Sequence, residues 1–436
     1  MGKATLMYVI GLAMIVSYTL LNVTGSATDA VSNSVEYYGR TVAHNIAVAG
    51  ANVGTQLLLS GSVTSQTMTG SFQGGNYALR YDSLNADGDK RLTVVSAANV
   101  NEKFGGSILR DTVIATFKYT QFAKYGYFSG VEQNGYMTPT SNSTSGGNMW
   151  KVTGDSMFGY AHTNSQWHLG GRPYFHDKIT GFNAPQLMVY GGEMDPIYNA
   201  GSQWGVTVNR PPANMTKLEN IAASSTPPAL FSGQDVALTF FGDGRVNVRI
   251  PATTGSSRND TVAIGSLTSS GVVAVKDGDV RVKGVYSGQV TVVALKKNAA
   301  ATNGNIWIDG DIVANNNPWN NPSSTDMLGL VAERMAYLTT TGIPRTPASI
   351  TNIQAAIYAH LGVFAVENYS TTPVGGRINL FGALSMNAST STGRISGGSL
   401  VNGMLKSIRH DPRFDSKAPP SFPVSDKYEL VSWWEK

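Results

Sequence analysis

His162, His168 and His176, with Asp155 and Asp177, form the densest cluster of potential chemistry in the chain. Imidazoles and carboxylates together can hold zinc or another divalent ion. The positions 162, 168 and 176 reproduce no common ligand motif, and the surrounding residues alternate like strand and loop. In such a setting a histidine or aspartate ordinarily bonds backbone. Ser156 and Ser165 lie beside the histidines, but neither sits in a nucleophile-elbow sequence. The expectation is no catalytic residue, no metal site and no cofactor.

Asn85, Asp87 and Asp89 around Gly88 read like half of a calcium loop. Such a loop needs a glutamate at its twelfth position, and that place falls on Val94 or Ser96. A hairpin turn accounts for the residues without calcium. Asp309 and Asp311 flank Gly310 and read as a turn in the same way. Asn142, Asn214, Asn259, Asn368 and Asn387 stand in Asn-x-Ser/Thr triplets, which are common by chance in a chain so rich in these residues. Trp150, Trp167, Trp204, Trp307 and Trp319 form no regular stripe for sugar binding, and a core role is expected for most of them.

The composition narrows the class. Charged residues are 14% of the 436, the formal charge is +4, and cysteine is absent. There is no disulfide framework, no thiolate metal site and no cysteine nucleophile. No basic cluster exceeds Lys296–Lys297, so nucleic acid is not an expected partner. Abundant glycine, serine, threonine and asparagine among β-branched and aromatic residues fit a β-rich exported protein.

The elements that organise the chain begin at its first residues. Ala4 to Val23 carries no charge, and at about 1.5 Å per residue it is long enough as a helix to cross a bilayer. The helical pattern then continues to about Ser60. Val31, Val35, Tyr38, Val42, Ile46 and Val53 recur at steps of three, four or seven, marking one apolar face. Beside it runs a stripe of small residues, Gly39, Ala43, Ala47, Gly50 and Gly54. A helix-interior glycine costs about 1 kcal/mol relative to alanine, so the stripe predicts close packing of neighbouring helices.

Strand-like runs follow at Tyr77–Tyr81, Arg91–Ala97 and Thr112–Tyr119, and a sheet folded on the upper part of the helix is expected. Residues 236–250 read as a hairpin turning at Asp243–Gly244. A pattern of glycine, two alternating aliphatics and glycine recurs at 278–284, 304–310 and 376–382, with a partial copy from Gly288. Short strands between glycine corners suit a β-solenoid, and the irregular spacing makes it a partial one. Thr346–Pro347 followed by Ile350, Ile353, Ile357 and Leu361 predicts one interrupting helix. Near the end, prolines hold the tail extended and Trp433–Trp434 anchor it. The fold class is α+β. Its parts are a membrane or filament-core helix over 1–60, a sheet packed on that helix over 61–125, and a β-rich outer head with a partial parallel β-helix over 126–436.

Tyr37–Tyr38 followed by the block from Asn45 to Gly54, after an apolar N-terminal helix, resembles the N-terminal region of PilX-like type IV pilin-related proteins. The segments 150–164, 171–181, 304–312, 326–332 and 410–423 resemble a large-headed bacterial subgroup of that family. The resemblance implies an inner-membrane precursor, processed by a prepilin peptidase. Assembly machinery then draws it into a helical homopolymer, with helices inward and the head at the cell surface. One departure stands out. Many type IV pilins carry a glutamate five residues into the mature chain. Here the first acidic residue is Asp29, and Thr5 stands at that position, or Met7 if Gly2 ends a short leader. The expected function is a structural, non-enzymatic filament subunit. The alternatives are a minor or tip subunit that initiates assembly or adheres, and a membrane-anchored β-helical protein that binds or cleaves polysaccharide.

Overall fold

The computed structural model describes residues 2–63, 65–84, 90–99, 108–144, 146–208, 215–251, 257–342, 346, 348–396 and 399–436. Asn85, Asp87, Asp89 and Gly88, Pro347 and Asn214 lie outside them. A 58-residue helix, Gly2–Leu59, leads into a β-rich remainder, so the α+β class holds. The chain divides into two units, Met1–Tyr119 with Lys427–Lys436, and Thr120–Asp426. The first unit thus ends at Tyr119 rather than at 125, and it also takes the final residues expected in the outer head.

In the first unit the strands run Thr67–Phe72, Gly75–Ser83, Lys90–Asn99, Thr112–Gln121 and Val424–Glu435 across one sheet. The first four pair antiparallel in this order, and the second, third and fourth contain the three expected strand-like runs. Leu79, Tyr81, Leu92, Val94, Val113, Ala115 and Phe117 form one core with Ala47, Ala51 and Leu58 of the helix. Burying each large aliphatic side chain contributes about 1.5–3 kcal/mol. Tyr119 and Tyr428 stack at 4.2 Å between centroids, and Trp433 packs at the margin of that core. The end of the chain is therefore a sheet strand, with Trp434 half exposed rather than anchoring.

The second unit is a parallel coil. Strands Val236–Phe241, Val280–Tyr286, Ile306–Ala314, Ala336–Leu338 and Phe364–Val366 stack in parallel. Their registers align Val236, Val280, Ile306, Ala336 and Phe364 in one ladder, and Leu238, Val282, Ile308, Leu338 and Val366 in the next. All ten are buried. The first two glycine-bounded repeats are thus adjacent rungs in register. The third opens strand Arg377–Ser389 and pairs with the first half of Ile350–Ala359, whose Ile353 meets Ile312. The later residues of both strands continue a second column with Leu230–Ser232, Val272–Lys276, Gln289–Leu295 and Met327–Ala332. Gly284 shows why glycine bounds these repeats: its φ is +108°, and a side chain there would run into the Phe240 carbonyl of the neighbouring rung.

The column does not stop at Arg377–Ser389. Tyr127–Asn134 and Leu405–His410 both pair with it in parallel. Ala161–Gly170, Ser156–Phe158, Ile179–Met188 and Tyr174–Phe175 then continue the stack outward. Residues early in the chain therefore cap rungs made from late ones. The hairpin is present as expected, with Gly242, Asp243 and Gly244 as a three-residue loop between the Phe241 and Arg245 partners. The helix predicted from Ile350 is instead strand Ile350–Ala359. Ile353 and Ile357 are buried, but so are Ala355, Ala356 and Tyr358 between them, which only a strand covered on both faces allows. Ile350 and Leu361, expected on the helix core face, are exposed.

Candidate functional site

The N-terminal helix has two halves with different surroundings. Its buried residues are Gly39, Ala43, Ile46, Ala47, Gly50, Ala51, Gly54 and Leu58. A Cβ on Gly50 would sit 2.9 Å from the Tyr77 ring and 3.0 Å from Val94 Cγ1, and one on Gly54 would sit 2.8 Å from Leu92 Cδ2. The Tyr81 hydroxyl donates to the Gly54 carbonyl at 2.9 Å. At Ala43, Ala47, Gly50 and Gly54 the small-residue stripe lets the chain's own sheet approach the helix, and Gly39 is buried as well. His44 Nδ1 meets Asp111 Oδ2 at 2.7 Å along the same seam.

Of the expected apolar face, Ile46 is buried under Gly75 and Ala98, whereas Val35 and Val42 are half-buried. Val31, Tyr38 and Val53 are exposed. From Gly2 to Tyr38 no side chain is buried, and the most apolar 18-residue window has a mean hydropathy of 1.9. Five hydroxyls along this part of the helix bond back to it. Thr19, Thr24, Thr28, Ser34 and Thr41 each donate to the carbonyl four residues back, at 2.7–2.9 Å. A hydroxyl satisfied by its own helix can enter an apolar medium at little cost. Glu36 and Arg40 likewise pair along the helix at 2.7 Å. The exposed half is long and apolar enough to cross a membrane.

The histidine cluster is dispersed. His162 is buried, with Nδ1 on Thr180 Oγ1 at 2.6 Å and Nε2 on Asn164 Oδ1 at 2.9 Å. Burial holds its pKa below the ordinary value, and His168 is lowered for the same reason. His168 packs edge-on to Trp150, with Nδ1 unpartnered. His176 is exposed beside Asp177, whose carboxylate accepts the Gly159 N–H at 2.6 Å, and Asp155 accepts the Val152 N–H. Among the described residues no three such side chains converge as a metal site. Ser156 meets only Ser407 Oγ.

A buried ionic group escaped sequence reasoning. Lys151 and Glu132 pair at 2.8 Å with essentially no exposure. Glu132 Oε1 also accepts from the Tyr127 hydroxyl at 2.9 Å and from Ser129 Oγ at 2.5 Å, and Lys151 donates to Ser389 Oγ at 2.8 Å. Burial alone would lower the Lys151 pKa, but Glu132 outweighs it and holds the ammonium charged. Nearby Lys406 is also buried. Its ammonium donates to the Thr390 carbonyl at 3.5 Å, and the residue lines a cavity of about 220 Å³ with Trp150, Asp155 and Tyr190. Burial, helped by repulsion from Lys151, pushes its pKa down to about 8. The one signal in the sequence was Lys151 placed between Trp150 and Val152 in a strand-like run.

No protein-family profile matches the chain, and neither a curated protein nor a solved structure matches it.

Proposed function

We propose that this protein is a structural subunit of a type IV pilus-like surface filament. In this reading the exposed half of the helix is stored in a membrane and then packed against other copies, with the β-coil facing outward. The carrying observation is that the exposed helix outruns a membrane. About 20 residues suffice to span, and Ala4–Val23 supplies them, yet the helix stays uncovered through Tyr37 and Tyr38, which are 75% and 71% exposed. Exposed aromatic and aliphatic side chains on a stalk beyond the bilayer call for a protein partner. A second copy offers the same surface.

Because the chain has no cysteine, single-cysteine cross-linking tests this directly. Cysteine at Tyr38 or Val31 should cross-link copies on cells, while cysteine at Glu219, on the head, should not. A ladder absent from the helix positions would sink the reading. A capping or initiating subunit is a second reading, favoured by the lack of an acidic residue in the first helical turn. Such a subunit would be a trace component of filaments built from another chain.

A further inference from the structure

Parallel register places Phe381, Arg409 and Phe158 on three adjacent strands at equivalent positions. His176, one residue beyond its strand, continues the row through its N–H to the Met157 carbonyl. The side chains stack rather than spread. The Arg409 guanidinium carbon lies 4.2 Å from the Phe158 centroid and 4.2 Å from that of Trp319. Phe158 is 5.3 Å from the His176 ring, and Trp319 meets Phe381 edge-on at 5.4 Å. Two residues earlier along the same strands, Asn352, Asn379, Ser407 and Ser156 form a parallel polar row.

Trp319 is 52% exposed, yet it is held in place. Its backbone N–H donates to Asn317 Oδ1 at 3.0 Å, and the same oxygen accepts from Gln354 Nε2 at 3.0 Å, while its ring lies between Arg409 and Phe381. Asn321 bonds Asn316, whose N–H donates to Asp326. Ordering an exposed indole costs entropy and returns nothing to the core, whereas a preorganised aromatic face favours binding. Arg409 adds charge. Its guanidinium lies 4.2 Å from two ring centroids, and the N–H edge of a guanidinium suits a carboxylate bidentately. Among the described residues no carboxylate pairs with Arg409. Asp177, at the end of the row, is taken up by Gly159 and His176.

We infer that this row binds an acidic polysaccharide, a chain of uronate sugars. Its ring faces lie on Trp319 and its neighbours, its carboxylate on Arg409, and its hydroxyls on the asparagine–serine row. Strands stack at about 4.8 Å, close to the repeat of one sugar in an extended chain, so successive rungs meet successive sugars. This inference stands independently of the filament reading.

The test is calorimetry of the full chain in detergent with oligogalacturonate and with its methyl ester. The acid should bind, and the ester should bind about tenfold more weakly, since each tenfold corresponds to about 1.4 kcal/mol. Trp319→Ala and Arg409→Gln should each weaken acid binding by about tenfold with unchanged thermal melting. Absence of oligogalacturonate binding at millimolar concentration would overturn the inference. So would equal binding of the ester, or undiminished binding by the folded variants. The ester comparison needs no variant, so a misfolded variant leaves the question decided.

Discussion

The Tyr81 hydroxyl donates to the Gly54 carbonyl across 2.9 Å, tying the sheet to the helix at the position where the helix is thinnest. The residue that looked prepared for a neighbouring copy is occupied within the chain. This determines which helical surface remains: the part before Gly39, and the face carrying Tyr38 and Val53. Tyr81→Phe should lower stability by about 1 kcal/mol, the net worth of one hydrogen bond. Gly54→Leu should cost more, because its side chain must displace Leu92. Thermal unfolding of the two variants checks the order. Gly25→Ala, in open space, should not destabilise at all.

Residues 2–25 bury nothing, so their removal should leave both folded units intact. The shortened chain is expected to be monomeric in water, while the full chain needs detergent or self-associates. Size-exclusion chromatography with light scattering reads this. Loss of the sheet's circular dichroism on shortening would contradict it.

Lys151→Met strands Glu132 in the core without its cation, and should cost about 3–5 kcal/mol. Replacing both, as Lys151→Met with Glu132→Leu, should recover much of that loss. Arg40→Ala breaks an exposed pair, 72% and 51% accessible, and should change stability by less than about 1 kcal/mol. Urea denaturation separates these outcomes.

Lys406 supplies a pH dependence with a definite sign. Its pKa is about 8 in the folded chain against an ordinary 10.5. Between those values the unfolded chain binds a proton that the native chain does not, so stability rises with pH across that window. The burial penalty is fully present below pH 8. Between pH 7.5 and 9.5 the native protein should gain about 2 kcal/mol on a Lys406→Met variant. Urea midpoints at the two pH values measure it, and a constant difference would show that Lys406 does not titrate as stated.

Much of this architecture was legible because its period is local. The helix, the three early strands, the Asp243–Gly244 hairpin and the glycine-bounded rungs all follow from spacing within a few residues. Ile350 to Leu361 misled because three isoleucines there happen to fall at helical steps. The deciding fact, strands on both flanks, is not local. The stacking of Tyr127–Asn134 on Arg377–Ser389 joins residues far apart in the chain, and with it came the Lys151–Glu132–Ser389 group. The small-residue stripe announced close approach correctly, but nothing in its spacing distinguishes a sheet of the same chain from a helix of another. Trp319, Phe381, Arg409 and Phe158 form no stripe in the sequence because the coil, not the chain, aligns them.

In the proposed filament the exposed half of the N-terminal helix is the assembly surface. Electron cryomicroscopy of filaments sheared from cells expressing the full chain tests it most directly. The expected result is a core built from residues 2–38 of neighbouring copies, with Gly39–Leu58 held by each copy's own sheet and the β-coil outside. Filaments lacking this chain, with the protein remaining as single copies in the membrane, would contradict it.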